Sequence, residues 1–169
     1  YGAIGREVAV RAKAFGMEIL AYDPYIPKEK IETDGVQVVD LDTMLSQSDM
    51  ISIHLPVLPQ TKGIVNKDWF SKMKSTAYVI NTARAAVIDQ KDFVEALQNK
   101  QIAGAAIDVY WKEPVPANHP LLKMRNVVCT PHMAGLTTDV DGWSGTMMGE
   151  EILAYLKGEQ RKYIWKVRK

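Results

Sequence analysis

Ile4, Val8, Ala12 and Phe15 are apolar at helical spacing, with Ala9 and Val10 beside them, and Gly16 ends the run as a C-terminal glycine does. After Gly16 the rhythm changes. MEILAY, VQVV, DMISIHLP, AYVINTA, AGAAIDV and NVVCTP are short apolar runs that predict strands. Between them lie helical segments: LDTMLSQS, NKDWFSKM with Asn66 as its cap, and DQKDFVEALQNK. In the last of these Asp89 is the N-cap, and Asp92 lies near the positive end of the helix. DPYIPK interrupts the chain with its prolines. A long helix is predicted over residues 138–156, weakened in its first half by Gly142, Gly145 and Gly149. Strands and helices alternate, and the strands are short and apolar throughout. That pattern predicts an α/β fold with a parallel sheet buried between helices.

Composition narrows this reading without redirecting it. The 169 residues suit one domain, and 47% apolar with 24% charged residues is ordinary for a globular chain. A net charge of +1 gives no overall drive toward nucleic acid or an anionic membrane. Cys129, the single cysteine, cannot form an internal disulfide and is expected as a core thiol in a reducing compartment. No apolar run is long enough to span a membrane, so a cytoplasmic protein is expected.

The first chemical signal is YGAIG. Gly2 and Gly5 are spaced like the last two glycines of a G-x-G-x-x-G phosphate loop, and the helix begins there. Asp23 follows at the end of the next predicted strand, where a dinucleotide fold needs a carboxylate for the adenosine ribose. Its charge would repel a 2′-phosphate, so NAD is expected rather than NADP. The alternative for Asp23 is a turn-forming Asp-Pro.

Three more stretches fall at strand ends or in the loops after them, the ligand edge of a doubly wound sheet. NTARAA carries Arg84, DVYWKEP carries Asp108 and Glu113, and TPHMAG carries His132. Reduction of a 2-oxo acid needs a guanidinium for the carboxylate, a proton donor for the carbonyl oxygen, and a carboxylate to orient that donor. Arg84, His132 and Glu113 supply these types. Each has an ordinary alternative as a surface arginine, a loop glutamate before proline, or a helix-capping histidine. His54 is expected as packing at the crevice edge, and His119 as a surface loop residue.

Together these stretches, with HLPVLPQTKGIVN, closely resemble the nucleotide-binding domain of the D-isomer-specific 2-hydroxyacid dehydrogenases. The resemblance implies a Rossmann-type doubly wound parallel sheet, NAD as cofactor, and an oxidoreductase acting on D-2-hydroxy and 2-oxo acids. It implies Arg84 on the substrate carboxylate, His132 as acid/base and Glu113 as its partner. It puts Ala3 and Ile4 at the pyrophosphate, Asp23 at the ribose, and Leu55, Thr82, Ala83 and Arg84 along the cofactor. It gives Asp108 to the nicotinamide amide, and has His132, Met133, Ala134 and Gly135 close the far side. Glu113 speaks against the formate dehydrogenase branch, which has glutamine there, and TPHMAG is closer to the phosphoglycerate and glyoxylate branches. Two features depart from the family: Ala85 stands where glycine is usual, and the tail RKYIWKVRK is unlike the usual ending.

By the same resemblance residues 1–158 are the NAD-binding domain, incomplete at its N-terminus, and 159–169 are a tail returning toward a substrate domain. The first loop glycine and the central strand of the order 3-2-1-4-5-6 would precede Tyr1. Such a piece is expected to leave two half-sheets and to be inactive alone. No metal is expected; the expected partners are a small 2-oxo or 2-hydroxy acid and, in the full-length protein, a second copy. The other reading is an NAD(H)-sensing interaction protein of the corepressor type, or an inactive fragment.

Overall fold

The computed structural model describes residues 1–160 and 162; the remainder of the tail lies outside the described residues. The chain forms two compact units, Tyr1–His132 and Met133–Lys169. In the first unit, in order, are α1 (Ala3–Ala14), β1 (Leu20–Ala21), α2 (Lys28–Glu32), β2 (Gln37–Val38), α3 (Leu41–Gln47), β3 (Met50–Ile53), α4 (Lys67–Lys72), β4 (Tyr78–Asn81), α5 (Gln90–Gln98), β5 (Gly104–Ile107) and β6 (Val127–Cys129). Short 3₁₀ turns occupy Ala85–Val87 and Pro120–Lys123. The second unit holds α6 (Thr138–Leu156), which runs unbroken through its glycines.

All strand pairs are parallel, in two separate sheets: β1-β2, and β3-β4-β5-β6. A split into two sheets is what the sequence reading expects, although the larger sheet has four strands where the 4-5-6 half of the order 3-2-1-4-5-6 has three. The expected caps are present, with Asn66 Oδ1 accepting from the Asp68 amide at 3.0 Å and Asp89 Oδ1 from the Asp92 amide at 3.0 Å. The sequence reading did not include α2, a five-residue helix entered from Pro27, whose fixed φ suits a helix start.

The main core lies against one face of the larger sheet. Ile51, Ile53, Val79, Ala105 and Ile107 of the strands meet Leu45 of α3, Phe70 of α4, and Phe93, Ala96 and Leu97 of α5. Phe70 and Phe93 tilt against each other with centroids 5.8 Å apart. Burial on both faces is reached only in β5; β3 alternates, because Met50, Tyr78 and Val128 on the opposite face are 53, 45 and 65% exposed. The apolar stripe of α1 also differs from the expected one. Ile4, Val8 and Phe15 are exposed, and the buried positions are Gly5 and Ala9. Small residues let this helix approach closely: a Cβ on Gly5 would lie 3.5 Å from the His54 ring. Cys129 is half-buried on β6, at the margin of the core.

Candidate functional site

Parallel pairing brings the C-terminal ends of the strands to one edge, and the loops leaving that edge hold most of the candidate residues. His54 and Leu55 follow β3, Thr82 to Arg84 follow β4, Asp108 to Glu113 follow β5, and His132 follows β6.

Two of these residues meet directly. His132 Nδ1 lies 2.7 Å from Glu113 Oε2, and Glu113 Oε1 accepts from the Tyr110 amide at 2.9 Å. Both carboxylate oxygens are therefore engaged. The hydrogen bond from His132, then that from the Tyr110 amide, hold the Glu113 carboxyl below its ordinary range against the opposing effect of partial desolvation. His132 takes a left-handed backbone, φ +56°, which costs a non-glycine residue on the order of 1 kcal/mol. That conformation is maintained where the local framework is strong: the Thr130 amide donates to Ile107 O at 3.0 Å, and Thr130 Oγ1 donates to Asp108 Oδ1 at 2.5 Å.

Arg84 stands at the end of β4, with β5 between it and β6. Its loop is organised by Asn81, which is buried. Asn81 Oδ1 accepts from the Ala83 amide and Asn81 Nδ2 donates to Arg84 O, both at 3.0 Å. The guanidinium Nη1 donates to Ala83 O at 2.7 Å. Ala85, where a positive φ would have made alanine costly, opens the 3₁₀ turn without one and is buried. Ala85→Gly is therefore expected to lower stability by about 0.5–1 kcal/mol through added freedom of the unfolded chain, read from denaturant melts. A rise in stability would mean that the alanine is strained.

At the other end of the first unit, Gly2 is the N-cap of α1 and offers no side chain to its first-turn amides, with Ala3 and Ile4 exposed beside it. Asp23 reaches this loop: its Oδ2 is 2.5 Å from the Tyr1 nitrogen, while Oδ1 accepts from the amides of Tyr25 at 2.8 Å and Ile26 at 3.2 Å. Asp23 thus serves its own turn and also faces the glycine loop. An uncapped helix start of 12 residues beside a carboxylate fits a dinucleotide, with amides for the pyrophosphate and an acceptor for ribose hydroxyls.

Asp108 is buried, with its amide donating to Asn81 O at 3.0 Å. Met133, Ala134 and Gly135 lie in the second unit. His54 is half-buried against Gly5, its Nε2 2.9 Å from Ser52 Oγ, and burial lowers its pKa. His119 is not the surface residue expected; it is buried beneath the Glu113 loop. Asn81, Tyr110 and His119 were missed as site-building residues. Only Asn81 left a trace in the sequence, as a polar residue closing an apolar strand. Among the described residues no cluster of His, Cys, Asp and Glu suits a metal, and no helix is long and apolar enough to cross a membrane.

Residues 1–134 match the family model described as D-isomer specific 2-hydroxyacid dehydrogenase, NAD binding domain. Similar proteins include a D-3-phosphoglycerate dehydrogenase of Archaeoglobus fulgidus, 44% identical over 93% of this chain and 30% of its own length. A glyoxylate reductase of Thermofilum pendens is 41% identical over 99% of this chain and 51% of its own. Among solved structures, D-lactate dehydrogenase with NAD+ from Lactobacillus jensenii superposes with a TM-score of 0.88 at 31% identity, covering 98% of this chain and 53% of that one. The chain spans about a third to a half of the length of these relatives.

Proposed function

Because the chain belongs to the D-isomer specific 2-hydroxyacid dehydrogenase family and carries its NAD-binding domain, we propose that the intact protein interconverts D-2-hydroxy acids and 2-oxo acids with NAD(H). The observation that carries this reading is the 2.7 Å contact between His132 Nδ1 and Glu113. With Nδ1 committed to the carboxylate, Nε2 is the nitrogen left to give a proton. NADH, when bound, supplies a hydride to the carbonyl carbon. Arg84 holds the substrate carboxylate in a two-pronged grip. His132 delivers the proton to the carbonyl oxygen, so that C=O becomes CH–OH, and Glu113 stabilises the imidazolium before transfer. Asp108, the Thr82–Arg84 turn, Leu55 and His132 line the cofactor. Small substrates such as hydroxypyruvate and glyoxylate fit the reading best. Saturable NADH oxidation by the intact protein with a panel of 2-oxo acids, and chiral analysis of the product, test it. Binding of NADH with no turnover on any acid would refute it in favour of a dinucleotide sensor.

Asp23 determines cofactor choice. NADH is expected to bind tighter than NADPH, because the 2′-phosphate would approach the Asp23 carboxylate, which is fixed in place by the Tyr25 and Ile26 amides. Asp23→Ser should narrow the gap by roughly tenfold, since like-charge contacts cost more than 1 kcal/mol when poorly screened. Titrations monitored by NADH and NADPH fluorescence measure both constants, and tighter NADPH binding by the parent protein would leave Asp23 as a turn residue only.

Residues 1–158 serve as the NAD-binding domain of a cytoplasmic homodimer. The exposed Trp143, Ile152 and Leu153 of α6 support an association surface. Light scattering that gives a monomer mass would refute the dimer.

A further inference from the structure

His119 takes no part in the reaction just described, yet its ring is among the best-restrained groups near the site. It is 9% exposed. Nδ1 accepts from the Leu121 amide at 3.4 Å, and Nε2 lies 2.9 Å from the Gln90 amide group at the start of α5. Burial lowers its pKa, so the ring is neutral at neutral pH. Its face stacks on Trp111, with centroids 6.2 Å apart and planes 9° from parallel, and it meets the Tyr110 ring edge-on at 6.4 Å and 76°.

Trp111 and Tyr110 are the residues that suspend the Glu113 loop. The Trp111 indole N–H donates to Ile88 O at 2.9 Å, just after the Arg84 turn. The Tyr110 hydroxyl donates to Thr130 O at 3.0 Å, two residues before His132. Burial, then the neighbouring Cys129, push that hydroxyl up to about 12, so it keeps its proton and stays a donor. The Tyr110 amide holds Glu113. Glu113 itself is 39% exposed, so solvent on its outer side gives it little restraint. Its position is set from the buried side of the loop, where His119 sits.

We propose that His119 is a positioning residue for the Glu113–His132 pair, holding Trp111 and Tyr110 in the one arrangement that presents the Tyr110 amide to Glu113. This rests on the dehydrogenase reading for its kinetic consequence, though not for its structural one. The test uses His119→Ala, which removes the ring, and His119→Phe, which keeps a planar face without the nitrogens, both in the intact protein. His119→Ala is expected to lower kcat roughly tenfold, as loss of orientation in a proton-donating pair does, with KM for NADH unchanged. The low-field Nδ1–H resonance of His132 should broaden or vanish in the same variant, and His119→Phe should restore most of both. Should His119→Ala fail to fold, His119→Leu, which fills volume without a flat face, takes its place. The proposal is overturned by parental kcat in the ring-less variant, by an unchanged resonance, by KM for NADH rising as kcat falls, or by a phenylalanine variant no better than the ring-less one. If the parent protein reduces no 2-oxo acid, the dehydrogenase reading fails, while the resonance still decides the role of His119.

Discussion

His132→Ala is expected to lower turnover of the 2-oxo acid by about 10²–10⁴-fold, the usual worth of a positioned general acid, while NADH binding stays near its parental strength. The split follows from geometry. The imidazole is committed through Nδ1 to Glu113 and has no hydrogen bond to the α1 loop or to Asp23, where the adenosine half of the cofactor is expected. Glu113→Gln should cause a smaller loss, because the amide can still orient the ring but cannot stabilise its charge. The acid side has a definite sign. The Glu113 carboxyl is depressed below its ordinary value of 4.5 by the His132 and Tyr110 hydrogen bonds. Its contribution to stability is therefore complete above that value and is lost as pH falls through the depressed one. Stopped-flow reduction at saturating NADH measures the step. Turnover unchanged in His132→Ala would remove the histidine from the mechanism.

Much of this fold was legible because parallel α/β units write themselves as short apolar runs separated by capped helices. Asn66 and Asp89 are caps by sequence and by hydrogen bond. The loops that carry Arg84, Glu113 and His132 were recognisable because they follow those runs directly. What stayed hidden depends on contacts distant in sequence or on small side chains. The buried face of α1 is Gly5 and Ala9, and no hydrophobicity pattern favours those over Ile4 and Val8. His119, between Asn118 and Pro120, has the look of a turn residue; its burial comes from Trp111 and from Gln90, 29 positions away. Likewise the second oxygen of Glu113 is satisfied by a backbone amide, which has no side-chain signature. Asp23 is the instructive middle case. Both readings of it, turn former and acceptor at the glycine loop, describe the same side chain, because its two oxygens divide the tasks.

Arg84→Gln is expected to reduce kcat/KM for the 2-oxo acid by about 10²–10³-fold, corresponding to roughly 3–4 kcal/mol for the loss of a charged, two-pronged contact to a carboxylate. Here too the structure separates binding of the acid from the rest. The Arg84 backbone is extended, and its carbonyl is held by Asn81, so the side chain leaves the end of β4 from a fixed base. Its Nη1 rests on Ala83 O, a neutral acceptor. One such bond contributes about 1 kcal/mol, less than a paired hydrogen bond to a carboxylate, so substrate can draw the guanidinium away at small cost. Arg84→Lys keeps the charge but not the fork, and should recover only part of the loss. The deficit should appear mainly in KM for the acid, with the NADH dissociation constant close to parental. Equal weakening of NADH binding would instead mean that the Arg84 side chain holds the cofactor as much as the acid. A lysine variant as active as the parent would mean that charge alone, without two-pronged geometry, is what the 2-oxo acid requires.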